Sequence, residues 1–295
     1  MITKLRNLTS KYAIPSTIII AVVSYLIMIS VGKIFALFPN SLVKSYTKEF
    51  INILIPIGIV ILFGFATSFK SKKFFRGLLC GISLFVFQCL LFIFNVLIAV
   101  DESATWKPWY LIIFGVFSII CVAIREECIY RATVQNILAK KYLKSTKGIW
   151  ITAIVSALIF GLIHAFNIFT GVKISAALIQ AVTNVGIGLF FAALYLRCGN
   201  LWVLITVHTA TDLAGLFPST FLNKTTTETL SAIHIQSLFA GVVFVLIAIF
   251  LLRPSKCKEI LQRFGVAEPT IQIDEVASND EVASNDEIAS NDENA

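Results

Sequence analysis

The stretch WYLIIFGVFSIICVAI (109–124) runs without a break into REECIYR (125–131). The first part is long and apolar enough to read as a membrane helix. The second sets two adjacent carboxylates, Glu126 and Glu127, at or near membrane depth. A charged side chain at the centre of a bilayer costs about 2.5–3.5 kcal/mol on insertion scales, so such residues have partners or a function. Glu127 and Arg131 are four apart with the acid first, the favoured order for an ion pair along a helix. They are expected to neutralise one another in a supporting role. Residues 125–141 contain no Pro or Gly, so the helix is expected to run on to Lys141 and leave Glu126 facing the interior.

The chain supplies partners elsewhere. It has three histidines, and two of them, His164 and His208, interrupt other apolar runs. Phe160 and His164 are spaced i, i+4, as are His208 and Asp212, so each pair shares a helix face. A buried aspartate must be paired, protonated or metal-bound. Two chemistries suit the set. In one, Glu126, His164, His208 and Asp212 hold a metal such as zinc, which activates a water. In the other, Glu126 takes a proton from water with His164 assisting, and His208 stabilises an oxyanion.

Composition agrees with a membrane protein. The 295 residues are 57% hydrophobic and 14% charged, with mean hydropathy +0.86. Apolar runs at about 13–38, 51–69, 75–100, 109–124, 149–168, 174–196, 201–217 and 233–252 predict an all-α polytopic protein of about eight transmembrane helices. Lysines and arginines flank these runs in alternating abundance, which puts both termini in the cytoplasm. The net charge of +7 is read as membrane anchoring. No basic patch is interleaved with aromatics, so nucleic acid is not an expected partner. Six cysteines without a CxxC pair argue against a disulfide framework or a zinc knuckle. The first apolar run is expected to be retained rather than cleaved as a signal. Gly186 and Gly188 in the sixth run are expected to serve close helix packing.

Four regions are expected: N-terminal transmembrane helices (1–108), a core holding the polar motifs (109–217), a last transmembrane helix (218–253) and a cytoplasmic tail (254–295). The tail repeats Glu-Val-Ala-Ser-Asn-Asp at 275–280 and 281–286, and again at 287–292 with Ile for Val. Between Asp274 and Glu293 it has eight acids and no base. Such a composition cannot bury a core and is expected to be a disordered, solvated arm.

Three motifs in chain order, EExxxR (Glu126, Glu127, Arg131), FxxxH (Phe160, His164) and HxxxD (His208, Asp212), resemble those of the type II CAAX prenyl endopeptidase and bacteriocin-processing family of intramembrane proteases. The resemblance spans about residues 109–216, including the Gly199-Asn200-Leu201-Trp202 entry to the His208 helix. It implies a peptide-bond hydrolase acting on a membrane-associated peptide, prenylated or of signal or bacteriocin type. It further implies that Glu126 and His164 activate water and that His208 with residue 212 forms the oxyanion hole. Members are described both as metalloproteases and as glutamate-dependent enzymes. This chain departs from the family at Ala132, where Gly is usual, and at Asp212, where prenyl proteases have Asn. An ionised Asp212 would repel an oxyanion, so it is either protonated or a metal ligand. Two rival readings are a non-catalytic immunity or scaffold protein that binds a peptide toxin or a sensor kinase, and a proton-coupled transporter. No inverted repeat supports the transporter. The sequence leaves the oligomeric state open. A straight fifth helix would carry His164 about 22–25 Å from the Lys144 and Lys147 anchors, whereas Glu126 is expected nearer the cytosol.

Overall fold

The structure is a computed structural model that describes residues 2–102, 104–264 and 266. The acidic repeats lie outside the described residues. The chain is all-α. Its helices are α1 (Ile2–Lys11), α2 (Ala13–Ala36), α3 (Leu42–Leu62), α4 (Phe74–Cys80), α5 (Ile82–Asp101), α6 (Trp109–Glu127), α7 (Asn136–Tyr142), α8 (Thr146–Ile163), α9 (Ile174–Cys198), α10 (Leu201–Gly215), α11 (Phe217–Phe221), α12 (Thr226–Ser231), α13 (Ser237–Leu251) and α14 (Pro254–Arg263). Short 3₁₀ turns follow α3 at Ala66–Phe69 and α8 at His164–Thr170, and a π-helical segment, Cys128–Gln135, joins α6 to α7.

Five helices among the described residues are long and apolar enough to cross a membrane: α2, α3, α5, α8 with its 3₁₀ extension, and α9. A sixth span is available if α13 and α14, bent by 66° at their junction, count as one. Large apolar side chains such as Ile19, Leu90, Phe239 and Leu246 point outward, as a lipid-facing surface requires. This is a multi-pass membrane protein. The sequence predicts about eight spans, and five or six helical units among the described residues meet the length and composition of a span. The run at 201–217 forms α10, about 22 Å long at 1.5 Å per residue and so shorter than a hydrocarbon core. Gly81 separates α4 from α5 within the run expected at 75–100. Two polar stretches left without structure by hydropathy, α1 and α14, are helical.

Helices α6 and α7 and the π segment between them are helical throughout, turning at Leu143 into α8. Ser145 caps α8 by accepting from the Gly148 amide at 3.2 Å. A Cβ on Gly148 would stand 1.6 Å from the Tyr142 carbonyl oxygen, so only glycine lets the two arms approach at the turn. Arg125 and Arg131 therefore lie within the bundle, Arg131 fully buried. The core is closed by small residues. Gly161 of α8 meets Val185 of α9, Gly186 of α9 meets the Gly241 backbone of α13, and Gly188 leaves room for the Phe160 ring. Such close backbone approach supplies van der Waals contact where no hydrophobic force acts between helices.

Candidate active site

Gly199 ends α9 in the left-handed conformation, φ +61°, which costs a residue without a Cβ little. Asn200 then caps α10, accepting from Trp202 N at 2.9 Å and Val203 N at 3.4 Å. This start fixes the direction of α10 and places His208 two turns in. The His208 Nδ1–H donates to Glu127 Oε1 at 2.8 Å. The other Glu127 oxygen faces Arg131 Nε at 3.2 Å, with both side chains wholly buried. Arg131 lies over the Phe160 ring at 4.7 Å and the Phe191 ring at 5.6 Å. The same two rings flank His208, at 6.0 and 5.0 Å between centroids. The guanidinium thus neutralises Glu127 and gains cation–π contact, while Glu127 fixes the tautomer and plane of His208. The expected Glu127–Arg131 pair is present. The carboxylate's second task, holding His208, joins residues far apart in sequence and no local spacing announces it.

The His208 Nε2 faces the cavity. Asp212 Oδ2 is 3.4 Å from it and Glu126 Oε2 is 3.7 Å from it. Glu126 and Asp212 are each about one-fifth exposed, which is enough to meet a water or a substrate. His164 begins the 3₁₀ turn after α8, and its Nδ1 lies 2.8 Å from the Phe160 carbonyl. A proton on Nδ1 makes that hydrogen bond and leaves the Nε2 lone pair free.

Glu126, His164, His208 and Asp212 line one cavity of about 540 Å³, with walls from α5, α6, α8, α9, α10, α12 and α13. The depth conflict between His164 and Glu126 disappears in the hairpin. Glu126 lies up to about 24 Å along its arm from Tyr142, and His164 about 27 Å along α8 from Thr146. Counted from one turn, the two arms reach the same level. The conflict arose from expecting Glu126 nearer the cytosol than His164.

Three further polar side chains share the cavity: Asn167, Gln180 and Asn184. Asn167 donates to Gln180 at 2.8 Å. Gln180 and Asn184, four apart in an otherwise apolar run, carried a readable signal that the histidine and carboxylate motifs overshadowed. Arg125 also reaches the cavity and pairs with Glu49 of α3 at 3.6 Å, which ties the N-terminal helices to the site. Among the described residues, no three His, Cys, Asp or Glu side chains are arranged to hold a metal ion. His208 Nδ1 is already committed to Glu127 and His164 Nδ1 to a backbone carbonyl. As placed, these residues do not form a zinc site.

Residues 108–214 match the family model of type II CAAX prenyl endopeptidase Rce1-like proteins. The chain carries a CAAX-protease-like domain. All the motif residues fall within the matched segment, from Glu126 to Asp212, as does the turn that brings Glu126 and His164 level. No curated protein and no solved structure matches the chain.

Proposed function

We propose that the chain is an intramembrane endopeptidase of a cell membrane, cutting a membrane-associated peptide, with Glu126 as base and His164 as its partner on the water. The observation that carries this reading is the convergence of Glu126, His164 and His208 on one cavity bounded by apolar helices. Water held between Glu126 and His164 Nε2 gives a proton to Glu126, and its oxygen bonds to the scissile carbonyl carbon. As an imidazolium, protonated on both nitrogens, His208 donates from Nε2 to the resulting oxyanion, its ring held by Glu127 at Nδ1. As the C–N bond breaks, Glu126 returns the proton to the leaving amine. Asp212 joins His208 in the oxyanion hole only with a proton on its carboxyl, because an ionised oxygen would repel the developing charge.

The substrate class rests on the family and the site's surroundings. A cavity bounded by membrane helices favours an apolar or lipid-modified peptide entering from the bilayer. Residues 1–108 are proposed to frame that entry, since α3 and α5 border the site through Glu49 and Gln88. The basic ends of the helices and both termini are proposed to face the cytosol.

The test is cleavage of a quenched-fluorescent peptide panel, prenylated and unprenylated, by detergent-purified wild type, Glu126→Gln and His164→Ala, with and without chelator. Each substitution is expected to lower kcat by about 10²–10⁴-fold. Equal cleavage by wild type and both folded variants would overturn the reading and favour a non-catalytic binding protein. Loss on chelation alone would replace glutamate chemistry by metal chemistry.

A further inference from the structure

At the α7 end of the α6–α7 rod lies a second cavity, larger than the first, of about 820 Å³. It shares no lining residue with the Glu126 cavity. Its walls carry six basic side chains, Lys70, Lys72, Lys73, Lys140, Lys144 and Arg263, and no acid. Lys70, Lys72, Lys73 and Lys144 form no ion pair among the described residues. The cavity therefore suits an occupant that brings negative charge.

The chain itself leads there. Arg263 is fixed by hydrogen bonds to the Leu196 and Arg197 carbonyls. Val266 N donates to Leu261 O at 3.1 Å. Arg263, Phe264 and Val266 are themselves part of the cavity wall. From Val266 the start of the acidic repeat stretch, Asp274, is within about 28 Å of extended chain, far enough to reach any wall of the cavity. We propose that this basic cavity is the docking site of the chain's own acidic repeats, residues 274–293. Their carboxylates meet the lysines, which no acid in the cavity wall neutralises. Tethering raises the tail's local concentration to the millimolar range, and three copies of one motif let successive repeats exchange at the site. Docking would place the tail against Gln135 and Asn136, on the same helical rod as Glu126 and Glu127. The proposal does not depend on the protein being a protease.

The test uses the full-length chain in nanodiscs, with a photo-crosslinking amino acid at Ala277 and the crosslinked peptides identified by mass spectrometry. Crosslinks to the 70–73 and 136–144 segments are expected in neutral lipid, and they persist when about a third of the lipid is anionic. Lys72→Glu with Lys144→Glu, both on exposed side chains, lowers the yield about tenfold, as two reversed surface pairs would. Asp280→Lys with Glu281→Lys in the same chain restores it. The restoration separates lost docking from a misfolded cavity. Crosslinks indifferent to the lysine reversal, or abolished by anionic lipid, would overturn the proposal, the latter by making a headgroup the occupant.

Discussion

Replacing Arg131 by Met tests whether the buried ion pair holds the site together. The guanidinium is fully enclosed by Glu127, Phe160 and Phe191. At an effective dielectric of about 20, charges 3.2 Å apart attract by at most about 5 kcal/mol. Removing one member of such a pair costs about 3–5 kcal/mol, because the other is left charged and buried. A further 1 kcal/mol or so is lost with the cation–π contacts. Against a total stability of about 5–15 kcal/mol, Arg131→Met should lower the unfolding midpoint in detergent by about 8–24 °C. Met conserves much of the volume, so the cost arises from the stranded Glu127 carboxylate. Adding Glu127→Gln should therefore recover most of the loss. The amide oxygen still accepts from His208 Nδ1 and no net charge remains. Midpoints for wild type, both single variants and the double variant close a thermodynamic cycle. If Arg131→Met shifts the midpoint by less than about 2 °C, or if the double variant is no more stable than Arg131→Met, the ion-pair argument fails.

Asp212→Asn keeps the shape beside His208 and replaces an ionisable carboxyl 3.4 Å from Nε2 by a neutral amide; kcat/KM on a cleaved peptide should be retained or rise by up to about tenfold. A fall of a hundredfold would instead make Asp212 a proton carrier. Gly186→Ala sets a Cβ 2.3 Å from the Gly241 carbonyl oxygen, so α9 and α13 must part at a cost of about 1–3 kcal/mol, measurable as reduced thermal stability with weakened cleavage. Glu228 accepts from the Thr225 amide and hydroxyl in a capping box, which holds its carboxyl below the usual carboxylate range. Because the folded value is the lower one, the cap's contribution is complete above that range and disappears as pH falls through the depressed value. Amide exchange over 225–231 should then quicken at acid pH, and Glu228→Ala should remove that pH step.

The motifs were legible because a membrane leaves few reasons for polar side chains in apolar runs. Glu126, His164, His208 and Asp212 stood out one by one, and each lines the same cavity. The i, i+4 spacing also announced the Glu127–Arg131 pair. Contacts set by three-dimensional closure were not legible: the Glu127–His208 hydrogen bond, the boxing of Arg131 by Phe160 and Phe191, and the link from Glu49 to Arg125. Hydropathy alone does not separate burial in the bundle from a bilayer crossing. Helix α10 is apolar because it packs inside the bundle, and most of its first turns are buried. Helix α14 was missed for the opposite reason. It is mostly polar, yet Cys257 and Ile260 tuck it against the core.

The hairpin turning at Leu143 works as a ruler folded in half. Its marks are residues, each worth about 1.5 Å and 100° of rotation on an α-helical arm. Adding or deleting one residue between Glu127 and Tyr142, or between Thr146 and Ile163, would move one partner past the other by that step and turn it off the cavity. Extra residues at the turn itself shift both arms together and leave Glu126 facing His164. Length variation among related chains should therefore collect around 143–145 and avoid the arms, and a deletion in one arm should be tolerated only when the other loses a residue at the same depth.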